Sequence, residues 1–528
     1  MARNFLIALS LANISFIRIW KELLEGDKAL YYSKGPLNGQ LIALFANVLL
    51  LALGFWLAVF RAKRSGRQTA IRFAQWVFLM VLFLNIGLTR WAAALHRRLG
   101  WLGLMLWAVA LALTIFALSR WNRKLVGIAA VLLLIASPFV LVTFAQGVWL
   151  WVRMNRASFA DQLAAPALPA RNKAPRVLWI VFDEFDQRAA FDQRPASVKM
   201  PELDRLRAQT LYATHAYPPG RMTELAMPAL ITGKLIYKAE PSGTSDLLIT
   251  YSKGQKPVRW SQEANVFSAA RAAGFNTALS GWYQPYCRVI AGSLNSCSWQ
   301  DGSILFGALR RQAGVVEGMA QQLKEVLTTT LGLDFLVPRF PQLQNPAARR
   351  DEINDVVAIL EQGKKAAADP AFDLVLVHLP VPHPFGIYDR ERDDFSVGAG
   401  SSFLDNLELT DRMLGELRAA MEAAHLWEET AVLVSGDHWW RAEFWSRKRY
   451  WTAEEDAVFS GHVDHRVPFL LKMPGQKTQL SSDTGFNTVL THDLVLAILR
   501  REVKDAQTAA AWLDQHRTIA DSPYNVKR

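Results

Sequence analysis

Before residue 152 the chain carries more apolar sequence than a water-soluble fold can hide, and this constrains every later inference. Four long apolar spans lie near 39–60, 72–95, 101–118 and 125–151. Each approaches or exceeds the roughly 20 residues that cross a bilayer core as a helix. A fifth span, 4–20, is shorter and holds Asn4, Asn13 and Arg18. It starts too near the first residue, and lacks the small-residue cleavage site, to read as a removable signal peptide. The expectation is an N-terminal α-helical transmembrane bundle of about five spans; span length argues against a buried bundle in a soluble protein.

Charge gives the orientation. The segment Arg61–Arg72 has five Lys/Arg and no acid, and Ser119–Lys124 has three and no acid. Both fit the cytoplasmic side, because basic loops stay inside. The loop 21–37 mixes Lys21, Lys28 and Lys34 with Glu22, Glu25 and Asp27 and fits the outside. The basic turn His96–Arg98 would also fall outside, against the trend. With five spans the N-terminus is cytoplasmic and everything after Trp151 is outside. Residues 1–152 hold 16 Lys/Arg against 3 Asp/Glu; the remainder holds 43 against 44. The basic excess therefore belongs to the membrane part and is no sign of nucleic-acid binding.

Residues 153–174 are rich in Ala, Pro and polar residues without period and read as a linker. From 175 to about 500, apolar strands alternate with helical patterns. Val177–Phe182, Phe275–Ser280, Phe372–His378, Ala431–Ser435 and Arg466–Lys472 read as strands. Gln262–Ala273, Ile353–Ala368, Phe403–His425 and Thr491–Arg500 read as helices. Such alternation predicts an α/β domain with a mainly parallel sheet. The tail 501–528 is polar and expected to be peripheral. Cys287 and Cys297 share one polar loop, as a free pair or, outside the cytoplasm, a disulfide.

Four stretches place reactive groups where strands or turns end. Val177–Phe182 runs into Asp183 and Glu184. Ligands of open α/β sheets sit at the carboxyl ends of strands, and carboxylates there suit a hard or borderline cation. In Arg221–Gly233, Pro228 and its small neighbours suit a helix start, with Thr223 just before it, as nucleophile or as a helix-capping threonine. In His378-Leu-Pro-Val-Pro-His383 both histidines follow a buried strand. Neutral imidazoles bind metal; protonated ones bind phosphoryl oxygens. Asp437 and His438 emerge together after strand Ala431–Ser435 and Gly436, a mixed oxygen and nitrogen donor set suited to zinc or manganese. Gly461-His-Val-Asp-His465 follows, with His462 and His465 leading into another strand.

The order and spacing of these stretches resemble the alkaline phosphatase superfamily, in its sulfatase-like branch, over about 175–500. Within that branch the chain looks most like the membrane-bound phosphoethanolamine and phosphoglycerol transferases, which share the five-span anchor. The resemblance implies that Asp183, Thr223, Asp437 and His438 hold one divalent metal, zinc or manganese, with Glu184 a further candidate because sulfatases use two adjacent acids. Thr223 stands five residues before Pro228, as the family's nucleophile does. Sulfatases carry Cys or Ser there, so threonine implies phosphoryl transfer. His383 falls on the phosphate-binding histidine, with His378 five residues before it as in the family. Either His462 or His465 falls on a later substrate-binding one. Trp439 stands where the family has glycine after the Asp–His pair.

The implied activity takes a headgroup from a membrane phospholipid through a phospho-threonine. The headgroup then passes to an envelope glycan or glycolipid, outside the bacterial inner membrane. Two alternatives stay open: a tethered phosphodiesterase or sulfatase with water as acceptor, and a non-catalytic envelope scaffold.

Overall fold

The computed structural model describes residues 2–64, 68–85, 88–169, 175–301, 312–330, 346–398, 400–446 and 451–517. They divide into two units, one of residues 1–157 with 305–345 and one of residues 158–304 with 346–528.

The first unit is helical. Helix Asn38–Arg64 alone is long and apolar enough to cross a membrane unbroken. Ala2–Ser15 with Ile17–Leu23, bent by 58°, and Asn122–Ile135 with Pro138–Arg156, bent by 44°, qualify only as pairs. The second break falls where Pro138 opens a new helix; proline brings no N–H, so it fits a first turn and not an interior. Gln68–Leu82 and Leu99–Thr114 are shorter apolar helices. The long helix Leu88–Arg120 is broken at Gly100, whose φ is 57°. By length and composition, one described helix spans, or three if each bent pair counts once. The expected five are thus met in part, and residues 86 and 87 of the 72–95 span lie outside the described residues.

Burial in this unit runs opposite to a soluble protein. Ser10, Asn13, Gln40 and Asn47 are buried, while Trp101, Phe139 and Leu141 are more than two-thirds exposed. Thr143 Oγ1 bonds the buried Asn13 Oδ1 at 3.1 Å. Polar groups turned inward and large apolar side chains outward suit a hydrocarbon solvent. A Cβ on Gly147 would lie 2.7 Å from the Phe45 ring, so glycine lets helix Pro138–Arg156 approach Asn38–Arg64 closely. Helix Val315–Glu325 also belongs here. Its Gln322 is fully buried against helix Asn38–Arg64, donating to the Gln40 carbonyl at 2.8 Å and accepting from Asn47 Nδ2 at 3.1 Å.

The second unit is α/β. Its strands are β1 (Arg176–Asp183), β2 (Leu211–Tyr217), β3 (Lys238–Ser242), β4 (Asp246–Thr250), β5 (Val258–Arg259), β6 (Thr277–Tyr283) and β7 (Ser296–Asp301). After these come β8 (Leu374–Pro382), β9 (Tyr388–Asp389), β10 (Asp394–Phe395), β11 (Thr430–Gly436), β12 (Val467–Lys472), β13 (Leu480–Ser482) and β14 (Phe486–Asn487). The main sheet runs β13-β2-β12-β11-β1-β8-β6-β7, with β14 beside β2. All its pairings are parallel except β12 with β11 and with β2. The predicted mainly parallel sheet is therefore present. At its centre β1, β8 and β11 are buried along their whole length, as strands covered on both faces must be.

Helices Pro346–Ala368, Phe403–Ala423 and Thr491–Leu499 match the predicted helical patterns, and Val266–Ala272 is a shorter form of Gln262–Ala273. The stretch 158–169, read as part of a linker, lies along this unit: Gln162 N–H bonds the Cys287 carbonyl at 2.9 Å and Ala165 N–H that of Leu294 at 2.7 Å. The linker's last residues, 170–174, and the end of the tail, 518–528, are not among the described ones. In the tail, helix Ala506–His516 has a buried face of Ala506, Ala509 and Leu513. Cys287 and Cys297 form a disulfide.

Candidate active site

The site grows from the register of β1 against β11. Phe182 pairs with Gly436, so the next residues along the two parallel strands, Asp183 and Asp437, leave the sheet side by side. Asp437 N–H bonds the Phe182 carbonyl at 3.2 Å. Gly436 is required there, since a Cβ would meet the Phe185 carbonyl oxygen at 2.6 Å. His438 follows, its Nε2 3.3 Å from Asp183 Oδ1 and 3.6 Å from Asp437 Oδ2. Its Nδ1 lies 3.0 Å from the Trp439 carbonyl oxygen, which fixes the ring and leaves Nε2 for the cluster.

Thr223 follows β2, which lies beyond β12 from β11 in the sheet. It is the first residue of helix Thr223–Thr232, capped by Met222 without a side-chain bond. The sequence placed Thr223 before the helix and Pro228 at its start. Instead the helix begins five residues earlier and tolerates Pro228 inside, leaving the Glu224 carbonyl without its usual i+4 donor. The hydroxyl is consequently not the helix cap. Thr223 Oγ1 lies 3.4 Å from His438 Nε2. Gly220 lets the chain pass over the helix start, where a Cβ would meet Ala226 N at 2.8 Å.

Asp183, Asp437 and His438 are all fully buried. One ligand atom from each lies within 4.8 Å of the others. Both oxygens of Asp183 and Oδ2 of Asp437 have no hydrogen-bond partner. Burial, with the Asp437 carboxylate beside it, pushes Asp183 well above the usual carboxylate range. Burial pushes Asp437 up to about 7, although the Thr223 hydroxyl and then the N–H groups of Glu184 and His438 oppose the rise. Burial holds His438 neutral, well below its ordinary value. Three buried carboxylate oxygens without donors, beside a neutral imidazole nitrogen and a hydroxyl, form a donor set that a divalent cation satisfies.

Glu184 does not join this set. Its backbone takes φ 60°, and its carboxylate turns away to accept from Arg441 Nε at 2.5 Å and Trp445 Nε1 at 2.8 Å. A cation and an indole N–H already satisfy it, so the further candidate beside Asp183 drops out of the set.

His378 sits within β8, not after it, because that strand continues to Pro382. Its Nδ1 is 3.0 Å from the Tyr286 hydroxyl, and burial pulls it down to about 3. His383 follows the strand, 2 % exposed, with Nε2 3.3 Å from Arg441 Nη2 and 3.8 Å from Glu184 Oε1. Burial and then Arg441 hold it well below the ordinary histidine range. Both imidazoles are neutral, so the positive charge at this side of the site belongs to Arg441. The Trp282 ring spans the two histidines, 6.2 Å from His378 and 5.8 Å from His383. His465 is half-buried with its ring 4.3 Å from Trp439. His462 is exposed, its Nδ1 3.0 Å from the Ser460 carbonyl oxygen. Together with Arg188 and Asp464 they line a separate open cleft of about 430 Å³.

Sequence reasoning missed Arg441, Trp445, Tyr286 and Trp282. No local motif marks them: Arg441 and Trp445 come from one short helix and the residue before it, and Trp282 and Tyr286 from the end of β6 and the residues just after it. The one available signal was position: Arg441 stands three residues beyond His438 in a stretch otherwise rich in tryptophan.

Residues 175–500 match the Sulfatase family. No curated protein sequence matches the chain. Among solved structures, PsFucS1 sulfatase from Pseudoalteromonas sp. is 15% identical, covering 68% of this chain and 79% of its own, with a TM-score of 0.39. Phosphonate monoester hydrolase of Agrobacterium radiobacter is 14% identical, covering 62% and 74%, with a TM-score of 0.35. An alkaline phosphatase superfamily protein from Vibrio parahaemolyticus is 13% identical, covering 63% and 68%, with a TM-score of 0.34.

Proposed function

The chain belongs to the Sulfatase family, within the alkaline phosphatase superfamily, and on that premise we propose that it is a membrane-anchored, metal-dependent transferase of phospholipid headgroups. The group moved is phosphoethanolamine or phosphoglycerol, and the acceptor is an envelope glycan or glycolipid. The observation that carries this reading is the Thr223 hydroxyl, uncommitted to capping and 3.4 Å from a buried Asp–Asp–His cluster.

In this scheme Thr223 Oγ attacks phosphorus of the lipid phosphodiester. The Oγ–P bond forms, the bond to the glycerol oxygen breaks, and that oxygen leaves with a proton as diacylglycerol. The acceptor hydroxyl then displaces the threonine and restores its O–H. The positive end of helix Thr223–Thr232 favours negative charge developing on Oγ. A divalent cation, zinc or manganese, held by Asp183, Thr223, Asp437 and His438 would supply charge neutralisation and a lowered hydroxyl pKa. His383 presents an unpartnered Nδ1, and Arg441 the nearby charge, for non-bridging phosphoryl oxygens. His378 is braced on the strand by the Tyr286 hydroxyl. His465 and His462, in the cleft with Arg188, contact the parts of donor or acceptor beyond the phosphoryl group.

Threonine in place of the sulfatase Cys or Ser favours phosphoryl over sulfuryl transfer. The helical unit supports a donor drawn from the bilayer. The disulfide supports an oxidising compartment, which fits the expected five-span topology with the catalytic unit on the periplasmic side of a bacterial inner membrane. Hydrolysis, with water as acceptor, would use the same residues. The test is mass spectrometry of the peptide containing residue 223 after the full-length protein meets native lipids. The expected adduct has the mass of phosphoethanolamine or phosphoglycerol. A Thr223→Ala protein that transfers labelled headgroup at the wild-type rate overturns the scheme. Release of free headgroup at an equal rate with and without acceptor makes the protein a hydrolase.

A further inference from the structure

The helical unit contains a cavity of about 460 Å³ that the proposed chemistry does not use. Its size falls within the range of about 300–1,000 Å³ typical of small-molecule sites. The walls are apolar, from four helices: Leu11 of Ala2–Ser15, Phe55 and Val59 of Asn38–Arg64, Phe78 of Gln68–Asn85 and Leu134 of Asn122–Ile135. At one end the lining changes to Arg3, Lys63 and Arg123. These stand near the start of the first helix, the end of the second and the start of the fourth, so they share one end of the bundle.

A second groove of about 560 Å³ meets the cavity there, since Gln75 and Arg123 line both. It adds Arg72, Arg120 and Lys124, with Trp76 and Trp121. Six cations thus gather around two joined recesses. The only acids in residues 1–152 are Glu22, Glu25 and Asp27, at the far end of the first helical pair. Asp27 is itself paired with Arg153, at 2.5 Å. The charge at the basic end has no counterpart in residues 1–152.

Depth decides what fits. From Arg123 to Leu134 the lining runs 11 residues along one helix, about 17 Å at 1.5 Å per residue. Half of a bilayer core is about 15 Å. The cavity is one leaflet deep, apolar where acyl chains lie and basic where headgroups lie. Aromatic rings at the groove sit where an interfacial belt would place them. Basic pockets between membrane helices are suited to phosphate-bearing headgroups.

We propose that this end of the helical unit binds one anionic phospholipid, its acyl chain in the cavity and its phosphate between Gln75 and Arg123. This site is distinct in residues from the candidate catalytic cluster and does not depend on the reaction assigned to it.

Native mass spectrometry of the full-length protein, released from detergent with added phosphatidylglycerol or phosphatidylcholine, tests it. One phosphatidylglycerol per chain should remain bound at lipid concentrations where phosphatidylcholine does not. In a triple variant, Arg3→Gln, Lys63→Gln and Arg123→Gln, affinity should fall about a hundredfold, each surface cation contributing a factor of about five. Ala130→Phe, which fills the cavity and leaves every charge in place, should also abolish retention. Equal retention of the two lipids, or wild-type retention by either variant, overturns the proposal. If the triple variant loses the lipid while Ala130→Phe keeps it, the contact is a surface attraction without a chain site, and the proposal also fails.

Discussion

Asp183 and Asp437 face each other with three carboxylate oxygens that lack a donor, an arrangement a cation would relieve. Replacing one carboxylate by an amide therefore has opposite effects in the two states. Asp437→Asn should raise the melting temperature of the metal-free protein and erase its rise on adding zinc or manganese. In the wild type that rise corresponds to about 2.7 kcal/mol at a metal concentration 100 times Kd. Thermal unfolding with and without metal checks it, and a rise that survives in the variant removes Asp437 from the ligand set. Arg441→Ala acts differently, because it strands the buried Glu184 carboxylate with only Trp445 as partner. Breaking a buried pair costs about 3–5 kcal/mol, and the Arg441 side chain is a quarter exposed, so a loss near about 3 kcal/mol is expected in denaturant unfolding.

A residue away from the site gives the clearest pH dependence. Glu352 is buried, one of its oxygens lacks a partner, and burial pushes it up to about 8 against the pull of Arg349. Its folded pKa lies above its unfolded one, so the folded state holds the proton longer. Stability from this group is full below the unfolded value near about 4.3 and declines as pH rises to about 8. Glu352→Gln should therefore melt higher than wild type by a margin that grows from pH 5 to pH 8. A constant margin would show that Glu352 does not titrate in this way.

At the level of elements, the site is assembled by the ends of β1, β8 and β11 and the start of helix Thr223–Thr232. Nearby, the disulfide ties the turn after β6 to β7. Closing a loop of 10 residues restrains the unfolded chain by roughly 3 kcal/mol. Cys287→Ser with Cys297→Ser should lose about that much, by chemical denaturation under non-reducing conditions, and dithiothreitol should do the same to the wild type alone. In the helical unit, Gln322 satisfies both Gln40 and Asn47. Gln322→Leu keeps roughly the same volume and removes the glutamine's bonds to both. The expected loss is about 1–3 kcal/mol, seen as a lower melting temperature in detergent. An unchanged temperature would mean that water replaces the glutamine.

Across the whole molecule, charge and hydropathy divide the chain in the same place. Residues 1–152 carry the whole of the net positive charge and most of the outward-facing apolar side chains, while the rest is almost neutral and folds around a sheet. Chelation should therefore separate the two units' behaviour. Removing metal with EDTA is expected to abolish headgroup transfer and lower the melting transition of the α/β unit, leaving the protein's partition into detergent unchanged. Loss of detergent partition on chelation would contradict that division.

Periodicity and run length, which are local, were enough to read the α/β class, the central strands and an apolar helical N-terminal part. Asp183, Asp437 and His438 were also legible, because a buried strand that stops at a polar residue announces a site at its carboxyl end. Span count was less so: bends at Ser137–Pro138 and near Phe16 divide apolar runs that look continuous in sequence. What the chain alone left undecided was who pairs with whom. Glu184 stood as a further candidate until the β1–β11 register set Asp437 beside Asp183 and a left-handed backbone at Glu184 turned its carboxylate to Arg441. Thr223 stood as a capping candidate until the helix proved to begin on it, with Met222 in the capping position. Such choices rest on contacts between residues more than 200 positions apart, and those exist only once the sheet has formed.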